Sequence, residues 1–184
     1  YLLWNILVII TPLSKNKLES FFNKDAKEVL SYYIFKAVLS QPELIPDQSE
    51  LPIQVPKEHI EQWGVQSLGL KSIGAGSYPI DLIDNNGKFG ADIKMLSWNG
   101  KGGESGETSL GQKFADSDLD SLFVNKKYDR IIQTWEEILT NKFNTVFSKY
   151  KNLKDIYYFI FIRDGKKFHV CGMEVNIKIF KNMS

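Results

Sequence analysis

Asp81, Asp92 and Lys94 are the residues of this chain whose types and spacing best suit chemistry. They lie in YPIDLIDNNGKFGADIKML, residues 78–96. Asn86-Gly87 is the strongest short-range hairpin signal, because a two-residue type I′ turn needs positive φ at both positions. With those two as the loop, Asn85 faces Lys88, Asp84 faces Phe89, Ile83 faces Gly90, Leu82 faces Ala91 and Asp81 faces Asp92. Side chains alternate across a strand. One face then carries Ile80, Leu82, Ala91, Ile93 and Met95, and the other Asp81, Ile83, Gly90, Asp92 and Lys94. Like charges in opposed positions destabilise a sheet. A close carboxylate pair is tolerated when one is protonated or a cation sits between them. Mg²⁺ suits such a pair, since it is held by one or two carboxylates together with substrate phosphates. Lys94 beside the same phosphate would orient or deprotonate a water, or stabilise developing negative charge. The plain alternative is a solvated strand pair in which Lys94 only neutralises Asp92.

Pro79-x-Asp81, ten residues, then Asp92-Ile93-Lys94 resembles the PD-(D/E)XK nuclease signature, the active site of many type II restriction endonucleases. Ile80, between the proline and the aspartate, is the one departure from the pattern. The resemblance implies that Asp81 and Asp92 bind Mg²⁺, that the backbone carbonyl of Ile93 completes the site, and that Lys94 works on the attacking water. It implies an α/β (α+β) fold, restriction-endonuclease-like, with a central mixed β-sheet flanked by helices. The activity implied is sequence-specific cleavage of double-stranded DNA by a homodimer, in the cytoplasm of a prokaryotic cell. Such nucleases often draw another acidic residue from a helix before the hairpin. Glu61, then Glu58 and Glu28, are the candidates in order of proximity. A structure-selective nuclease, a nuclease toxin of the same fold and a non-catalytic nucleic-acid-binding module are the alternatives.

SWNGKGGESGETSLGQKF, residues 97–114, follows the hairpin. Its first part is rich in glycine. The remainder, SGETSLGQKF, reads as a loop turning into a helix with Thr108 or Ser109 as N-cap. Gln112 can bond adenine through two atoms, and Lys113 can contact guanine or phosphate. Thr108, Ser109, Gln112 and Lys113 are therefore the DNA-contact candidates, against the plainer possibility of a capped surface helix. GKGGESG lacks the Gly-Lys-Ser/Thr ending of a phosphate-cradling loop. Asp116, Asp118 and Asp120 begin like a calcium-binding EF-hand loop, but Ser121 and Lys127 stand where its glycine and bidentate glutamate belong, which excludes it.

The chain of 184 residues fits a single domain, 1–184, large enough to bury a core without staples. Its 43 % apolar and 24 % charged content is that of an ordinary globular protein. Cys171 is the one cysteine, which excludes an internal disulfide and fits a reducing compartment. It falls in HVCGMEV, where a buried small hydrophobe is expected. His59 and His169 form no recognisable triad with it. The first residue is Tyr, so the natural N-terminus is expected to lie upstream. YLLWNILVII is too short to span a bilayer and lacks a basic flank or small-residue cleavage site, so a buried helix or strand is expected there, and no membrane partner. Residues 1–92 hold 8 basic and 11 acidic residues, and residues 93–184 hold 15 and 11. The basic excess after the hairpin suits a phosphate-facing surface, although a solvated face is the usual cause.

The positioning elements follow from periodicity. Residues 15–39 show helical spacing, with a break near Asn23. Residues 40–56 hold four of the six prolines and read as an irregular connection. Residues 57–63 predict a short helix after Pro56, and 64–73 a strand. Residues 126–150 give the clearest helix, with Ile131, Ile132, Trp135, Ile138, Leu139, Phe143, Val146 and Phe147 as its apolar stripe and its basic residues mainly elsewhere. IYYFIFI predicts a strand buried on both faces, and Asp164-Gly165 turns it into another hairpin.

Overall fold

The computed structural model describes residues 10–47, 53–73, 78–98, 104–105 and 119–176. In chain order the elements are β1 (Ile10–Pro12), α1 (Lys15–Phe21), α2 (Lys24–Leu39), α3 (Lys57–Leu68), β2 (Lys71–Ser72), β3 (Leu82–Ile83), β4 (Phe89–Trp98), β5 (Glu104–Ser105), α4 (Leu119–Val124), α5 (Tyr128–Lys149), β6 (Asp155–Asp164) and β7 (Lys167–Val175). The strands form one mixed sheet in the order β1-β7-β6-β4-β3-β2, with β5 also paired to β4. β4 and β6 run parallel over their whole lengths, and the other pairings are antiparallel. A parallel pair needs a long crossover, and α4 and α5 lie between these two strands.

Alternation along β6 divides the core into two layers. Tyr157, Phe159 and Phe161 face a cluster that holds Phe22, Leu30 and Ala37 of the first helices, Ile60 of α3, and Leu82, Ala91 and Ile93 of the hairpin. The ring of Phe159 lies 5.2 Å from Phe21 and 5.1 Å from Phe22, both edge-on. Ile156 faces the opposite layer, where Leu139, Phe143 and Val146 of α5 pack with Ile80, Ile83 and Val175. A mixed sheet with helices against both faces is the result, the coarse architecture expected from the sequence.

The break near Asn23 is present. Asn23 caps α2, its side chain accepting from Ala26 N at 2.9 Å. Helix α3 runs on through Leu68, so the strand expected over 64–73 is reduced to Lys71–Ser72. Gly69, left-handed at φ +63, ends the helix. Gly64 is needed in that extension, because a Cβ there would collide with the Ile93 side chain. The helix thereby lies directly on β4. Ile132, expected in the apolar stripe of α5, is 55 % exposed. Seven residues before Leu139, it shares that residue's face of the helix but lies near the N-terminal end of α5.

Hairpin β3–β4 keeps the expected register, Leu82 opposite Ala91 and Ile83 opposite Gly90. Its turn is not type I′. Gly87 has φ +69, but Asn86 has no positive φ, and Gly87 N donates to Asp84 O at 3.0 Å. Residues 85–88 form a four-residue loop closed by Asp84 N donating to Phe89 O at 2.9 Å. The Asp84 carboxylate holds that loop, accepting from Asn86 N at 3.1 Å, from Phe89 N at 3.0 Å and from Lys88 N. Ile80 is a further departure. It packs with the α5 layer rather than on the Leu82 face, and Gly90 admits it, since a Cβ there would stand 2.5 Å from Ile80 Cδ1. The chain bends at Pro79 and Asp81 before β3 begins, which takes Ile80 out of the alternation.

Residues 1–9 and 106–118 lie outside the described residues. Ile10, at the end of YLLWNILVII, belongs to edge strand β1 and is exposed. Cys171 is half-buried, and burial pushes its thiol pKa up. Among the described residues no helix is long and apolar enough to cross a membrane.

Candidate functional site

A gap in the pairing of β4 creates the site. On its β3 side, β4 pairs with β3 at Gly90 and Ala91 and with β5 at Ser97 and Trp98. Between these, the described residues supply no strand partner on that side. Asp81 enters the gap. Its backbone N donates to Ala91 O at 2.9 Å, and its carboxylate Oδ2 accepts from Ile93 N at 2.6 Å. A carboxylate thus occupies the place of a strand carbonyl. In an extended strand the N–H and C=O of one residue point to the same edge. The Ile93 carbonyl therefore points to the same edge as the amide that Asp81 binds.

Asp92 is buried, and its side chain is 4 % exposed. Its Oδ1 accepts from Lys94 Nζ at 2.8 Å. With both carboxyls ionised its buried Oδ2 has no hydrogen-bond partner, and Lys142 Nζ of α5 approaches it at 3.9 Å. Tyr158, beside Asp92 in the parallel register, has its phenol pKa raised by burial first and by the Asp92 charge after that, so it stays protonated.

Asp81 feels this surrounding strongly. Burial, then the Asp92 charge, then a hydrogen bond between the two carboxyls push its pKa up to about 7, against a smaller lowering by Ile93 N–H, and Glu61 adds to the rise. Glu61 reaches Asp81 from α3. It shares with Glu58, Gln62, Val65, Gln66, Ser72 and Asp81 a cleft of about 270 Å³. Gly64, one turn further along the helix, permits the close approach to β4 that brings Glu61 there.

The structure therefore gathers Asp81, Asp92, Lys94 and the Ile93 backbone, with Glu61 at the rim. Glu58 lines the same cleft but is exposed. Glu28 is solvent-exposed on α2, 3.8 Å from Lys24, and lies apart from the cleft lining. Asp84 is a turn residue and no part of the site. Thr108, Ser109, Gln112 and Lys113 lie outside the described residues. Lys142 was not expected. It lies three residues after Leu139 and four before Val146, next to Phe143, so a lysine beside an apolar stripe was the available signal.

Chemically, the paired carboxyls fit a hard divalent cation. One oxygen of the ionised pair is buried and lacks a hydrogen-bond partner, and burial and then the Asp92 charge hold the neighbouring carboxyl toward protonation. Among the described residues no three His, Cys, Asp or Glu side chains converge tightly enough to hold a metal by themselves. A cation here would need backbone, water or substrate oxygens as well, the manner in which Mg²⁺ is commonly bound.

Comparison with protein-family models, with curated proteins and with solved structures gave no match.

Proposed function

We propose that the chain is a Mg²⁺-dependent nuclease of the PD-(D/E)XK kind, with a restriction-endonuclease-like fold, acting on double-stranded DNA in a sequence-specific manner. The observation that carries this is the Asp92 carboxylate, buried, bonded to Lys94 through one oxygen and left without a hydrogen-bond partner on the other, beside another carboxyl.

Asp81 and Asp92 would hold the metal, with the Ile93 carbonyl as a further oxygen and Glu61 near enough to bind through water. When bound, Mg²⁺ supplies charge stabilisation at the phosphate and lowers the pKa of a bound water. The chain's own residues do the rest. Ile93 N–H fixes the orientation of Asp81. Asp92 fixes Lys94, whose side chain is 20 % exposed and so reaches the solvent side of the site. From there its ammonium orients the attacking water and balances charge that builds on the phosphate. Homodimers matching palindromic DNA accord with the general rule for two-fold readers.

The test is incubation of phage-length duplex DNA with the purified protein in Mg²⁺ and in EDTA, alongside Lys94→Ala. Discrete fragments in Mg²⁺ alone, absent with the variant, are expected. Cleavage confined to branched DNA or RNA would move the substrate to the structure-selective or toxin class. Failure on all three, with no Mg²⁺ binding by calorimetry, would sink the proposal.

A further inference from the structure

Among the described side chains of helix α5, one charged group turns inward. Lys142 is 14 % exposed, and its Nζ stands 3.9 Å from Asp92 Oδ2. Placing a lysine among Leu139, Phe143 and Val146 sacrifices hydration and side-chain freedom, and a nearby opposite charge offsets that cost. The two lysines divide the carboxylate between them. Lys94 bonds Oδ1 at 2.8 Å, and Lys142 approaches Oδ2 from beyond hydrogen-bond length. The oxygen left without a bond thus faces a cation that attracts it but does not bind it.

We propose that Lys142 is a positioning residue of the metal site. Its ammonium is the resident counter-charge of Asp92, keeping the carboxylate pair assembled before metal arrives and weakening Mg²⁺ binding by like-charge repulsion. This rests on the Mg²⁺ site proposed above. Asp81, Asp92, Lys94 and Lys142 sum to zero charge when all are ionised. Addition of the metal then makes the site electropositive, which suits a phosphodiester anion. A fixed ammonium this close to a bound divalent ion weakens its binding about tenfold even at the dielectric constant of water.

Two measurements test it. Calorimetric titration of Mg²⁺ into DNA-free protein should show about tenfold tighter binding for Lys142→Met than for wild type, and an unchanged affinity for Lys142→Arg. Unchanged or weaker binding by Lys142→Met would overturn the proposal. The other measurement needs no metal. In EDTA, denaturant stabilities of Asp92→Asn, Lys142→Met and the double variant should show the double losing less than the two singles together. Additive losses would overturn the ion pair itself. Wild-type protein that binds no Mg²⁺, but shows coupling in that cycle, would overturn the proposal by removing the metal while leaving the ion pair in place.

Discussion

Hairpin β6–β7 pairs continuously from Ile156 opposite Val175 to Asp164 opposite Lys167, whereas β3 gives β4 only Leu82 and Ile83. Both begin as alternating apolar strands around a glycine-containing turn. In the long hairpin every ladder position is filled by backbone, and its inward-facing side chains serve the core. In the short one pairing stops at Ala91, and the next edge amide, that of Ile93, goes to the Asp81 carboxylate. The difference teaches how a sheet makes room for charge. Backbone groups must be satisfied, and a strand that ends early transfers that duty to a side chain, which is then held in a fixed pose at the sheet edge.

The largest effect should come from breaking the continuous hairpin. Phe159 is fully buried, edge-on to the rings of Phe21 and Phe22. Phe159→Ala should cost about 3–5 kcal/mol, read as a lowered denaturant midpoint with unchanged slope. A loss under about 1 kcal/mol would mean that this layer is not packed as described.

The short hairpin should answer in the opposite direction. Asp81 has a folded-state pKa near 7, above its ordinary 3.8. The native protein therefore keeps a proton that the unfolded chain releases between those values. Stability contributed by this group falls as pH rises through that window, and the cost is complete above pH 7. Asp81→Asn keeps an oxygen for Ile93 N–H and removes the cost. In EDTA it should stabilise the protein by about 2–4 kcal/mol at pH 8.5 and leave it unchanged near pH 3.5. Equal effects at the two pH values would show that Asp81 is an ordinary solvated carboxylate. In the wild type, Mg²⁺ should raise the melting temperature at pH 8.5 more than at pH 5, because protons compete for the same oxygens.

Much of this contrast was legible in the sequence, for a definite reason. A two-residue loop at 86–87 and a four-residue loop at 85–88 share a centre, so register survives an error in turn type. That is how Asp81, Asp92 and Lys94 could be brought together although Asn86 does not adopt the expected φ. Residues 64–68 misled because Val65, Leu68 and Leu70 fit helical spacing over one step and alternation over the next, too short a pattern to separate helix from strand. What decides is a tertiary contact, the close approach of Gly64 to Ile93. Ile80 misled because alternation holds only inside a strand, and β3 begins two residues later. Lys142 escaped because a lysine ordinarily marks a solvent-facing position, while its place among Leu139, Phe143 and Val146 was visible in the same pattern. Glu61 could be ranked ahead of Glu58 and Glu28 by proximity, but only the helix position shows it sharing the Asp81 cleft.

The turns provide a smaller test. Asp84 accepts from three backbone amides. Asp84→Ala should cost about 2 kcal/mol, seen as faster amide exchange at Lys88 and Phe89 and a lowered midpoint. Asp84→Asn should recover part of that loss, since its one carbonyl oxygen replaces two.

The smallest effects should come from the turn glycines, and they sharpen the comparison most. Gly87 has φ +69, and a Cβ there would meet Ile83 Cδ1 at an ordinary 4.0 Å. Gly165 has φ +57 and open space around it. Neither site is crowded, so substitution by Ala is penalised by backbone conformation alone, at about 1 kcal/mol each. The two hairpins should then lose similar amounts by glycine substitution, although only the short one depends on a turn carboxylate. Combining Gly87→Ala with Asp84→Ala isolates that dependence. If the carboxylate is what holds Gly87 in the left-handed region, the double variant should lose less than the sum, because the freed loop can adopt another turn. Strict additivity would mean that Gly87 takes its conformation from the strands, and that the two hairpins close by the same means after all.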